Sequence, residues 1–154
     1  MSIRKNIMRI SVGADERLHV VDVILDYLKD KGYEVTWYGP AKEKTEPWPD
    51  VARRVAQDVA AGRANEGILF CWTGTGVSIA ANKIKGIRAA LCDDAETARG
   101  ARLWNNANVL CMSMRRASEV VAKEILDAWL ATSYQSNTTD DACLAIVAGL
   151  DAGE

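Results

Sequence analysis

Histidine is almost missing from this chain: His19 is the only one in 154 residues. The four cysteines, Cys71, Cys92, Cys111 and Cys143, include no Cys-x-x-Cys pair. Zinc patterns combine closely spaced cysteines and histidines, so no metal is expected and no cofactor is implied. Three of these cysteines end apolar runs, as buried reduced thiols do. Excess positive charge is lacking too, with 19 Lys plus Arg against 21 Asp plus Glu. A nucleic-acid binder needs a basic face, so that partner class is excluded. No apolar run approaches membrane-spanning length, and residues 1–6 read as leading straight into a first strand, without a secretory leader. The expectation is a cytoplasmic protein with no membrane partner. His19 is expected one turn into the first helix, facing solvent or a second copy.

What is present is an ordinary globular composition, 49% apolar and 26% charged. A chain of this length buries roughly 70% of its unfolded surface and needs no staples. Short apolar runs alternate with segments of helical period. Strands are predicted at 7–13, 33–38, 66–71, 87–92 and 107–112. Helices are predicted at 16–31, stopped by Gly32, then 51–61, 76–84, 94–103, 118–132 and 139–150. All three prolines fall in residues 39–50, read as a long loop whose Asp50 caps the second helix. Successive β-then-α units imply an α/β fold: a three-layer, Rossmann-like domain with a five-stranded parallel sheet and an extra C-terminal helix. Residues 1–154 read as one domain. In such a fold, ligands bind beyond the C-terminal ends of the strands.

Those ends collect the informative residues, and the loop from Cys71 to Ser78 is the most specific. Gly74 and Gly76 let backbone amides approach a ligand, and a following helix start favours negative charge. A dinucleotide fingerprint is excluded because Ile79 stands where its third glycine belongs. A P-loop is excluded because Val77-Ser78 follows Gly76.

Residues 67–83 (GILFCWTGTGVSIAANK), then 86–92 (GIRAALC) and 105–110 (NNANVL), resemble the ribose-5-phosphate isomerase B and galactose-6-phosphate isomerase family. Gly13-Ala14-Asp15 and Asp127-Ala128-Trp129-Leu130 fit as well. The resemblance implies aldose–ketose isomerisation through a cis-enediolate, with glycine-loop amides holding the oxyanion. It also implies a homodimer whose active sites are shared between subunits. One branch of the family uses a cysteine base at the position of Cys71, and the other a glutamate at the position of Val77. Valine cannot act, so Cys71 is the expected base, and a thiolate beside a helix start suits that role. Thr73 is expected to assist proton movement. Asp15 and Asn105 are expected to bind substrate hydroxyls, and Thr75 and Ser78 to line the loop.

Several positions depart from the family. Its Asp-His pair is Asp15-Glu16 here, its ring-opening histidine falls at Trp104, and the glycine after the cysteine is Trp72. The tyrosine of its Asp-Tyr-Pro is Trp48. Two phosphate-gripping arginines fall at Thr138 and Ala142, beside Asp140-Asp141, while Arg115 keeps its place. Each lost charge-assisted contact is worth about 1.5–3 kcal/mol. The expectation from these exchanges is an isomerase or epimerase acting on a small unphosphorylated carbohydrate or related α-hydroxycarbonyl, open-chain or already activated. Asp15, Glu16, Asp93, Asp94 and Glu96 would gather at one rim, with Trp48, Trp72 and Trp104 as walls. For Asp94 and Glu96 the competing reading is plain helix-start chemistry. A lyase or hydrolase acting on an aromatic ligand, or a non-catalytic binding subunit, stays open as an alternative.

Overall fold

The structure is a computed structural model that describes residues 6–154. Most of the segment read as leading into the first strand therefore lies outside the described residues. The elements run β1 (Arg9–Ala14), α1 (His19–Asp30), β2 (Glu34–Tyr38), α2 (Trp48–Ala60), β3 (Glu66–Cys71), α3 (Thr75–Ala81), β4 (Ala89–Leu91), α4 (Ala95–Asn105), β5 (Val109–Ser113), α5 (Glu119–Ala131) and α6 (Thr138–Asp151). All strand pairings are parallel, in the order β2-β1-β3-β5-β4. The α/β fold with a five-stranded parallel sheet is as the β-then-α alternation requires.

Alternation along the central strands sorts the core into two layers. Ile10, Val12, Ala14, Ile68, Phe70, Leu110 and Met112 face α1, α4 and α5. Leu69, Cys71, Val109 and Cys111 face α2 and α3. Both faces are apolar because both are covered. Each fully buried large side chain stabilises the fold by about 1.5–3 kcal/mol. α6 contributes no buried residue of its own.

Three boundaries differ from expectation for local reasons. Residues 16–18 are not helical: Glu16 forms an isolated antiparallel bridge with Thr45, and Leu18 is extended at the cap. His19 therefore opens α1 instead of lying a turn inside it. α2 begins at Trp48, with Pro47 as its cap and Pro49 in the first turn, where a missing N–H costs nothing. Asp50 sits inside that first turn and makes no cap hydrogen bond. The fourth strand shrinks to three residues because the Arg88 amide is bound by the Asn108 side chain, not by a neighbouring strand.

Candidate functional site

The loop after β3 turns towards α2 and α3, while those after its neighbours β1 and β5 turn to the opposite face. The connections therefore part around the end of β3, which is where a ligand is expected to bind in an open parallel sheet. The Ala14–Phe70 rung sets Asp15 beside Cys71 at adjacent strand ends. Cys71 is 5% exposed and packs with Val51, Ala52 and Val77. Burial and the Asp94 and Asp93 charges push the Cys92 thiol up to about 12. Burial pushes Cys111 up as well. Those two thiols stay protonated at neutral pH and belong to the core.

The backbone after Cys71 is tied to the neighbouring strand loop. The Met114 amide donates to the Cys71 carbonyl at 3.0 Å. The Arg115 amide and the Ser113 hydroxyl both donate to the Trp72 carbonyl, at 3.0 and 2.9 Å. Trp72 is thereby fixed at its backbone while its indole stays 54% exposed.

Gly74 then reverses the chain into α3 at φ +77°. A Cβ there would lie 2.5 Å from Leu91 Cδ1 and 3.0 Å from the Met112 backbone, so only glycine fits on both counts. Gly76 is tight for a different reason: the Trp48 ring lies 3.1 Å from where its Cβ would be, so a larger residue would have to push the indole aside. Trp48 thus roofs the first turn of α3. On either side of Gly74, the Thr73 and Thr75 hydroxyls are hydrogen-bonded at 2.7 Å. Ser78, half-buried one turn on, donates its amide to the Gly74 carbonyl.

Asp15 carries the one orphaned buried polar atom found among the described residues, its Oδ1. Burial, reinforced by the Glu16 charge and opposed by a backbone hydrogen bond, holds its carboxyl above the usual carboxylate range. An unpartnered carboxyl oxygen at a strand end is a ready partner for a ligand hydroxyl. Glu16 is half-buried and engaged with Thr45 through its backbone.

Cations at this end are mostly committed. Arg17 and Lys42 both bind Asp22, at 2.7 and 3.2 Å. Arg116 faces Asp93 at 3.7 Å. Arg115 is exposed and enters no ion pair among the described residues.

The expected acidic rim with three indole walls does not form within one chain. Asp94 caps α4 through the Thr97 amide, Glu96 pairs with Arg99, and Asp93 with Arg116. Helix-start chemistry therefore accounts for Asp94 and Glu96. Trp104 and Asn105 end α4, about 14 Å along the helix from its start. They lie near the opposite edge of the sheet, in a groove of about 310 Å³ shared with Arg88, Ala107 and Val147. A second groove, of about 580 Å³, runs along α4 and β4 past Asp94, Glu96, Gly100 and Trp104. It too excludes the Cys71–Ser78 loop.

Asp140 and Asp141, beside the two lost arginine positions, have local partners. Asp141 accepts from Tyr134 and Ser136, and Asp140 from Asn137. They are tied into the start of α6, where the helix dipole favours them.

The ribose/galactose isomerase family model matches residues 10–144, spanning both strand-end loops and the α4 terminus. The chain belongs to this family, the aldose–ketose isomerases of sugar phosphates. It is 41% identical over 130 residues to D-erythrulose-4-phosphate isomerase of Pectobacterium atrosepticum, covering 83% of this chain and 86% of that one. It is 39% identical over 125 residues to ribose-5-phosphate isomerase B of Escherichia coli, covering 81% and 84%. The ribose-5-phosphate isomerase B structure from Clostridium thermocellum superposes with a TM-score of 0.91 at 35% identity, covering 95% of this chain and 99% of that one. The expectation of an unphosphorylated sugar finds no support here, because each of these family members is named for a sugar phosphate.

The Thr73–Thr75 hydroxyl pair and the Trp48–Gly76 stack escaped the sequence reading. Both depend on Gly74 folding the loop back on itself, and an unusual Gly-Thr-Gly run is the only sequence sign of that.

Proposed function

We propose that this protein interconverts an aldose phosphate and a ketose phosphate through a cis-enediolate, with Cys71 as the base that moves the proton between C1 and C2. The observation that carries this reading is the placement of Cys71 at the end of β3, beneath a loop that turns at Gly74 directly into α3. Thr73 assists proton movement, and the amides of the Gly74–Val77 turn, which precede the first intrahelical bond from Ser78, face the developing oxyanion. Asp15, with its free oxygen, binds a substrate hydroxyl. Arg115 is the cation available to the phosphate, and Glu16, Trp48 and Trp72 shape the mouth of the site.

The substrate in this reading is a four-carbon sugar phosphate. Trp104 holds the position the resemblance assigns to the ring-opening histidine, and indole has no nitrogen that accepts a proton. A tetrose phosphorylated on C4 has no hydroxyl free to close a furanose ring, so it needs no ring opening. The name of the Pectobacterium relative, D-erythrulose-4-phosphate isomerase, points the same way.

Trp104 and Asn105 reach a site only if a second copy brings them there. This supports a homodimer with shared sites, as does the exposed apolar side of α6, with Ile146, Val147 and Leu150; the family membership supports a cytoplasmic location. The test is incubation in D₂O with D-erythrulose 4-phosphate, ribose 5-phosphate and free erythrulose, following the carbon-bound protons by NMR. Deuterium entry and isomer formation with the tetrulose phosphate are expected. Preference for ribose 5-phosphate would overturn the four-carbon assignment, and activity with free erythrulose alone would overturn the phosphate.

A further inference from the structure

Isomerisation through an enediol moves two kinds of proton. One leaves C2 of the aldose and returns to C1; the other leaves the C2 hydroxyl and arrives on the former carbonyl oxygen at C1. A single thiolate accounts for the first. The second needs a group that gives a proton to one oxygen while taking one from its neighbour.

The loop carries such a group. Thr73 and Thr75 flank Gly74, whose left-handed backbone brings their hydroxyls to 2.7 Å, and both residues are exposed at the end of β3. Two hydroxyls have two protons and four lone pairs between them. Their mutual bond uses one proton and one lone pair. Among the described residues no other group bonds to either oxygen. What remains is one O–H to donate and lone pairs to accept, the complement of a carbonyl oxygen beside a hydroxyl.

We infer that Thr73 and Thr75 form a two-hydroxyl relay that carries the oxygen-bound proton between O1 and O2, while Cys71 carries the carbon-bound one. This rests on the isomerase reading above. In the aldose-to-ketose direction, one threonine hydroxyl gives its proton to O1 and takes the proton of the other threonine, which takes the proton of O2. Three O–H bonds break and three form, so the pair ends with the protons it began with. No oxidant or further reactant is needed. Thr75 is the new element, because it completes a pair that Thr73 alone cannot make.

The decisive measurement compares deuterium exchange into unreacted substrate with isomer formation, in D₂O, for Thr75→Val and Thr75→Ser. For Thr75→Val, turnover is expected to fall about 100-fold with KM within about twofold of the parent. Exchange should fall much less, because Cys71 still forms an enediolate that returns to substrate. Thr75→Ser should restore both. Unchanged turnover in Thr75→Val would overturn the relay, as would equal loss of exchange and turnover, or failure of serine to rescue a folded variant. If the parent protein itself neither exchanges nor isomerises any sugar phosphate, the isomerase reading falls, and the relay with it. If the parent is active and Thr75→Val matches it, only the relay falls.

Discussion

The loop after β3 and the C-terminal helix α6 are two parts of one chain built on opposite terms. The loop is held entirely from within: its carbonyls are bound by β5–α5 amides, Gly74 is wedged between Leu91 and Met112, and Trp48 covers Gly76. α6 buries no residue and carries Ile146, Val147 and Leu150 in the open. It is held at its ends, by the Asn137 cap and by Asp151 accepting from the Gly86 amide at 2.8 Å. A 14-residue helix has marginal stability alone. One part of the molecule is therefore finished when the chain folds, and in the proposed homodimer the other would lie against a second copy.

The sharpest way to break this comparison is at Cys71. Cys71→Ala should lower turnover by about 10³-fold while leaving the melting temperature and circular dichroism close to the parent's. Retained activity would place the base elsewhere. Next comes Gly74→Ala, which forces a Cβ into Leu91 and the Met112 backbone at positive φ. It should cost about 2–4 kcal/mol of stability, read by urea unfolding, and should disable the loop as well.

A smaller effect is expected at the open half. Trp104 is 56% exposed and touches its own helix at Gly100, so Trp104→Ala should leave the folded protomer intact. Its effect should appear as weaker self-association by sedimentation, with turnover down about tenfold. Equal loss of protomer stability would show that Trp104 belongs to the internally built half.

The smallest effect concerns Asp15. Its carboxyl is held above the usual range chiefly by burial, so the folded state keeps a proton that the unfolded chain releases. Ionisation therefore costs stability as pH rises past the ordinary carboxylate value, and that cost is fully present above the raised folded value. Asp15→Asn should slightly raise the melting temperature at neutral pH, lose that advantage at low pH, and lower kcat/KM. A lower melting temperature at neutral pH would mean that the carboxylate is partnered after all.

Much of this was legible in the residues. Apolar runs at 67–71 and 109–112 read as strands covered on both faces, and the Gly-Thr-Gly run at 74–76 as a tight strand-to-helix turn. Trp48, Trp72 and Trp104 were harder. Position in sequence says that each follows or flanks a strand, and that put all three at one rim. The length of α4 carries Trp104 to the far edge. Asp94 was legible as a helix-start acid, but that it caps α4 through the Thr97 amide was not, since capping depends on where a helix begins to within one residue.

The sequence by itself determined the layered α/β fold, the strand-end location of the loop and the thiol at its base. These follow from local periodicity and from a glycine, Gly74, that no other residue can replace. Tertiary structure alone decided which side chains meet: Thr73 with Thr75, Trp48 with Gly76, and Asp15 with nothing. The physical reason is range. Hydrophobic period and turn chemistry act over a few residues, whereas a 2.7 Å contact between hydroxyls or an orphaned carboxyl oxygen depends on how neighbouring strands and loops are registered in space.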